Sequence, residues 1–213
     1  MNIPKLHYIS QGETPEAHLE NIQKACTFGA ELVQLRLKNV DEETILVTAE
    51  KAREIIAHYQ TRLIINDHYK IAKAVNADGV HLGKTDACPT LARDYLGKWF
   101  IIGGTANTIE DCKNLISKNV DYIGLGPFRF TKTKDNLSPI LGLEGYKNII
   151  DNLNTSTPII AIGGILEDDI TGLLDTGVYG IALSGAITQN FNNISNFNKL
   201  LNASATLEQR HTF

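Results

Sequence analysis

Gly29-Ala30-Glu31-Leu32-Val33-Gln34-Leu35 has a counterpart in Asn76-Ala77-Asp78-Gly79-Val80-His81-Leu82. Asn119-Val120-Asp121-Tyr122-Ile123-Gly124-Leu125 and Gly177-Val178-Tyr179-Gly180-Ile181-Ala182-Leu183 follow the same pattern. Each opens on Gly or Asn, residues that tolerate the left-handed turn closing a helix. Each then enters a short alternating apolar run, the mark of a strand. Counted along the chain they are strands 2, 4, 6 and 8. Alternate strands of a closed parallel barrel fill the same interior layers, so a repeat at every second strand fits that fold.

Working outward, β-branched runs read as strands near 6–9, 31–36, 61–66, 78–82, 100–103, 121–125, 158–162 and 179–184. Helical segments alternate with them near 15–28, 42–58, 68–75, 89–96, 107–118, 142–153, 166–176 and 186–201. Start signals agree: Thr14 precedes Pro15, Asp41 precedes Glu42 and Glu43, and Thr108 to Asp111 has capping-box spacing. Eight strand–helix pairs in 213 residues predict an α/β fold, a single (β/α)8 TIM barrel. An open doubly wound sheet is the second choice and usually has fewer strands. Residues 1–202 read as the barrel catalytic domain and 203–213 as a polar C-terminal tail. The stretch from Gly126 to Leu141 shows no regular element, and a connection that long is more often functional than filler.

Composition narrows the function. A net charge of −4 supplies no general field for nucleic-acid backbones. No apolar run is long enough to span a membrane, and the N-terminus lacks a signal-peptide core, so a cytoplasmic protein is expected. Cys26, Cys88 and Cys112 are odd in number and widely spaced, which predicts reduced thiols.

Polar clusters recur where strands end: Gln34 to Lys38, Asn66-Asp67, Gly83 to Asp86, Thr131 to Lys134, and Gly163-Gly164. In a barrel these share one mouth. Gln34, Arg36 and Lys38 alternate with Val33, Leu35 and Leu37, which places three polar side chains on the inner face. Such residues are costly there unless they bind something. Asp67 and Asp86, on neighbouring strand ends, offer hard oxygen ligands of the kind Mg2+ takes together with phosphate oxygens. Asp67 alone reads equally well as a helix cap. Thr131, Lys132, Thr133 and Lys134 bring hydroxyl and ammonium donors, and Thr105 offers one more hydroxyl. Gly163-Gly164 and Ser184-Gly185 end strands 7 and 8, the usual phosphate-binding corner of this fold. His81 is a candidate base but reads better as a hydrogen-bonded core histidine; Tyr122 and Trp99 read as packing.

From about Leu6 to Ile187 the chain resembles the thiamine-phosphate synthase (thiamine-phosphate pyrophosphorylase) family. The resemblance is carried by Val33-Gln34-Leu35-Arg36-Leu37-Lys38, Ile65-Asn66-Asp67, Asp78 to Gly83, Asp121 to Pro127, Thr131-Lys132-Thr133-Lys134 and Ala161 to Ile165, in that order. It implies condensation of an aminopyrimidine methyl pyrophosphate with a hydroxyethylthiazole phosphate, or its carboxylated form. Thiamine phosphate and pyrophosphate would be the products. It further implies Mg2+ and a pyrimidine carbocation formed as pyrophosphate departs. The family's pyrimidine and pyrophosphate contacts fall on Gln34, Arg36, Lys38 and Asn66, and its metal carboxylates on Asp67 and Asp86. Further leaving-group contacts fall on Thr105, where the family more often has serine, and on Lys134. Thiazole-phosphate contacts fall on Thr131, Thr133, Gly163 or Gly164, and the Ser184-Gly185 turn. Arg36, Lys38, Thr105 and Lys134 would carry the catalysis.

Lys84 replaces a usual glutamine and adds a cation beside Asp86. Asn107 replaces a common histidine, and Arg129 and Phe130 alter the approach to the threonine-lysine run. A thiazole tautomerase of the same fold is the nearest alternative. It would want a general base where this chain has Asn107. A non-catalytic phospholigand-binding regulator would have little reason to keep the two carboxylates and Lys134. The expected partners are the two small-molecule substrates, with homo-oligomerisation left open by the sequence.

Overall fold

The computed structural model describes residues 2–130 and 139–208, the side chains through 202. Eight parallel strands close on one another in chain order, β1 pairing with both β2 and β8. They are β1 Leu6–Ile9, β2 Leu32–Leu35, β3 Arg62–Asn66, β4 Gly79–Leu82, β5 Ile101–Ala106, β6 Tyr122–Leu125, β7 Ile159–Ile162 and β8 Gly180–Leu183. The outer helices are α1 Pro15–Thr27, α2 Glu42–Ile56, α3 Tyr69–Ala74, α4 Pro89–Leu96, α5 Ile109–Ser117, α6 Gly142–Asp151 and α7 Ile170–Asp175. After β8 come a short α8, Gly185–Thr188, and α9, Asn193–Glu208. The single helix expected over 186–201 is thus two. Asn190 accounts for the break: its side chain binds the Asn192 backbone N–H and the Asn193 side chain, offering the chain an alternative to the helical ladder. The last helix continues past residue 202.

The alternation read from sequence becomes two cores. Val33, Leu35, Leu63, Ile65, Val80, Leu82, Ile123 and Leu125 point outward and pack under the helices. Leu32, Ile64, Ile101, Tyr122, Ile160 and Ala182 point inward and fill the barrel floor. The repeat has a physical counterpart at the N-terminal end. Asp78, just before β4, accepts from the Leu63 N–H at 2.8 Å and from Arg53 at 2.9 Å. Asp121, just before β6, accepts from the Ile102 N–H at 2.8 Å and from Arg93 at 2.6 Å. In both places a carboxylate ties a strand start to its neighbour and to a helix outside.

β5 is longer than read, because Gly103-Gly104 lies within it and not at its end. Those glycines serve packing. A Cβ on Gly103 would lie 2.1 Å from Tyr122 Cζ, and one on Gly104 would lie 2.5 Å from Leu115 Cδ2. Among the described residues no helix is long and apolar enough to cross a membrane. Cys26, Cys88 and Cys112 are all free thiols.

Gly103→Ala is expected to lower unfolding free energy by roughly 1–3 kcal/mol, since the Tyr122 ring is fully enclosed and must shift. Urea denaturation checks this; an unchanged midpoint would show that the ring has room to spare.

Candidate active site

Parallel closure sends the C-terminal ends of all eight strands to one mouth. Gln34 points into the barrel from β2 and is 4% exposed. Arg36 follows the strand end, where its backbone N–H donates to Ser10 Oγ at 3.1 Å. Ser10 Oγ also meets His18 Nδ1 at 2.7 Å, so the loop after β1 props Arg36 from behind. Burial pushes the His18 imidazole down, which keeps that prop neutral. Lys38 lies two positions on, exposed at the rim.

Asn66 ends β3, and Asp67 follows with φ +65°. Its backbone N–H donates to His81 O at 2.8 Å, so the turn is pinned to β4. The cap position of α3 belongs to His68, which makes no side-chain capping bond. Asp67 is therefore no helix cap. Its side chain hydrogen-bonds to Asp86, and the Arg36 guanidinium and the Asn66 side chain also bear on it. Asp86 is held by its own turn, its Oδ2 accepting from the Gly83 N–H at 2.6 Å. Burial first, then the Asp86 hydrogen bond and charge, push the Asp67 carboxyl up to about 7. Two carboxylates in contact share a proton.

Lys84 does not compete for Asp86. It pairs with Asp111 at the start of α5. Asp111 Oδ2 also accepts from the backbone N–H groups of Asn107 at 2.9 Å and Thr108 at 3.0 Å. The Asn107 amide in turn donates to Gly126 O at 2.8 Å and Pro139 O at 3.0 Å. One buried side chain thus ties both ends of the β6–α6 connection, a role the sequence reading missed. Thr131, Thr133 and Lys134, within that connection, lie outside the described residues.

Thr105 lies on β5, its hydroxyl 2.9 Å from His81 Nε2; His81 Nδ1 lies 3.0 Å from the Tyr122 hydroxyl. His81 is the hydrogen-bonded core histidine expected, but Tyr122 does more than pack. On the far side, Gly163 and Gly164 have φ +98° and +67°, a backbone glycine alone adopts readily. Arg129 closes over this turn. It donates to Gly164 O at 2.9 Å and makes a two-pronged pair with Asp169, both bonds 2.8 Å. At β8, Ser184 donates to Gln11 Oε1 at 3.3 Å and Gly185 opens α8.

Gln34, Arg36, Asn66, Asp67, Asp86 and Thr105 thus form one contiguous set on β2 to β5, facing the glycine turns of β7 and β8 across the mouth. Among the described residues no three His, Cys, Asp or Glu side chains group to hold a metal. Two carboxylates are what a cation carrying phosphate oxygens requires.

A closed barrel with cations, paired carboxylates and glycine turns at its C-terminal mouth has the build of a (β/α)8 enzyme. A family profile described as thiamine monophosphate synthase matches residues 6–187, and the chain belongs to that family, whose members are transferases. It is 47% identical over 203 residues to the thiamine-phosphate synthase of Flavobacterium psychrophilum, covering 92% of this chain and 98% of that one. It is 44% identical over 200 residues to the thiamine-phosphate synthase of Bacteroides fragilis, covering 92% and 98%. The solved thiamine phosphate pyrophosphorylase of Pyrococcus furiosus superposes with a TM-score of 0.76 at 28% identity, covering 93% of this chain and 94% of that one.

The Asp67 value lies above the 3.8 of an ordinary aspartate, so the folded state holds an extra proton between the two and stability falls as pH rises from about 4 to about 7. In metal-free protein Asp67→Asn is expected to raise the melting midpoint at pH 8 by about 3 °C or more and to leave it unchanged at pH 4. Equal midpoints at pH 8 would contradict the shared proton.

Proposed function

We propose that this chain joins 4-amino-2-methyl-5-hydroxymethylpyrimidine pyrophosphate to 4-methyl-5-(2-hydroxyethyl)thiazole phosphate, releasing thiamine phosphate and pyrophosphate. The observation that carries the reading is the Asp67–Asp86 pair with Arg36 beside it at the barrel mouth. Two acids in contact want a divalent cation in place of their proton, and a diphosphate wants the same cation.

The reaction breaks the bond between the pyrimidine methylene carbon and the diphosphate oxygen, and the thiazole nitrogen then takes the vacated carbon. Little covalent help is needed; what matters is holding both rings and stabilising the departing charge. Gln34 and Asn66 would orient the pyrimidine. Arg36, Lys38, Thr105 and Lys134 would receive the diphosphate with charged or hydroxyl donors. Asp67 and Asp86 would hold Mg2+, which when bound neutralises charge on the diphosphate. Thr131, Thr133, the Gly163-Gly164 turn and Ser184-Gly185 would seat the thiazole phosphate. The clasp made by Arg129 and Asp169 supports this, because it fixes the glycine turn on which that phosphate would rest.

The tautomerase alternative has less support. It needs a base near position 107, and the Asn107 amide carries no titratable proton and is committed to two backbone carbonyls. The relatives described above are named as synthases. A binding-only regulator finds no support among them either.

Mixing the purified protein with both phosphorylated heterocycles and Mg2+ should release pyrophosphate and thiamine phosphate in equal amounts. Absence of product with both substrates present would overturn the proposal. Lys134→Ala should lower kcat by roughly 100-fold while the KM for the thiazole phosphate moves little, because its charge counts most as the diphosphate leaves. A rise in KM alone would remove that role.

A further inference from the structure

Behind the mouth, four side chains from four strands form one buried file. Gln34 on β2 reaches toward the Tyr122 hydroxyl on β6 and bears on it electrostatically. That hydroxyl lies 3.0 Å from His81 Nδ1 on β4, and His81 Nε2 lies 2.9 Å from Thr105 Oγ1 on β5. Tyr122 is 1% exposed and His81 7%. Both rings sit where glycine leaves space: a Cβ on Gly103 would strike the Tyr122 ring, and one on Gly124 would come 3.0 Å from His81 Cε1. The rings stack with centroids 5.5 Å apart, and His7 closes the other side of Tyr122 edge-on at 5.0 Å. The file is thus held by packing as well as by hydrogen bonds, and both of its ends are residues assigned above to substrate.

Counting protons leaves two ways to satisfy a neutral file. In one, the Gln34 NH2 donates to the phenol oxygen, the phenol donates to His81 Nδ1, and Nε2–H donates to Thr105 Oγ1. The Thr105 proton is then left for a guest. In the other, every bond runs backwards and Thr105 spends its proton on His81. Thr105 is the end of the file that meets the guest, so what the guest offers there decides the direction. A diphosphate presents acceptors only, so a guest of that kind meets a partner at Thr105 only in the first arrangement.

We propose that the file is polarised from Gln34 to Thr105, with Tyr122 and His81 as positioning residues that hold the Thr105 hydroxyl as a donor toward the diphosphate and the Gln34 oxygen as an acceptor toward the amino group of the pyrimidine. The substrate assignment and the choice of direction rest on the proposed function; the measurement that reads the direction does not.

Long-range 15N NMR on the ligand-free wild-type protein reads the direction without any substrate. The expected result is His81 protonated on Nε2 with a bare Nδ1; a proton on Nδ1, or on both nitrogens, overturns the proposal. With both substrates, Tyr122→Phe should lower kcat/KM for the pyrimidine pyrophosphate at least tenfold and leave the KM for the thiazole phosphate within twofold. In a Thr105→Val background the same substitution should cost clearly less than in the wild type, since the part of its effect that passes through that hydroxyl is gone. Independent, multiplying losses would overturn the relay, and Thr105→Ser should restore the full sensitivity to Tyr122→Phe. A protein that fails to turn over the pair but shows the expected His81 tautomer would refute the substrate reading and leave the polarity standing.

Discussion

Two carboxylates in hydrogen-bonding contact at the ends of neighbouring strands, Asp67 and Asp86, set the terms for the rest of the mouth. They cannot both carry full charge without a cation, and burial pushes Asp67 toward keeping its proton. The chain invests backbone geometry in holding them there. Asp67 is non-glycine at φ +65° and its N–H is pinned to β4, while Asp86 is clamped by the Gly83 N–H. A pair kept together in this way costs stability, and on the proposed function a divalent ion would relieve that cost. Arg36 beside it lowers that cost in part and brings positive charge to the place where a diphosphate would lie.

The loops around the pair are fixed by a second set of contacts between protein groups. Ser10 and His18 prop the backbone of Arg36. Lys84 and Asp111 tie the β4 loop to the start of α5, and Asn107, bound to the same Asp111, closes the neck of the β6–α6 connection. Arg129 and Asp169 lock the β7 glycine turn to the same connection. Three of these residues, Lys84, Asn107 and Arg129, stand where the sequence departs from its family resemblance. The first two meet in one network through Asp111, so they act as a unit.

The barrel was legible because β-branched runs and αβ junctions recur at every strand, and local pattern decides such elements. The strand read near 100–103 was placed too short, since glycine is a weak strand signal; the purpose of Gly103-Gly104, space for Tyr122 and Leu115, lies in residues distant in the chain. Asp67 was ambiguous for a related reason. Its spacing before a helix fits a cap, and only the left-handed backbone turns its side chain to Asp86. The inward position of Gln34 could be read because it alternates with Val33 and Leu35 along the strand. The Gln34–Tyr122–His81–Thr105 file could not, because hydrogen bonds across a barrel leave no mark at any single spacing.

The central claim is that a cation bearing diphosphate displaces the proton shared by Asp67 and Asp86. Calorimetric titration of the protein with inorganic pyrophosphate and Mg2+ near pH 6.5, in buffers of differing ionisation enthalpy, counts protons exchanged on binding. The account predicts net proton release from this pair that disappears in Asp67→Asn; binding with the same proton count in both proteins would contradict it.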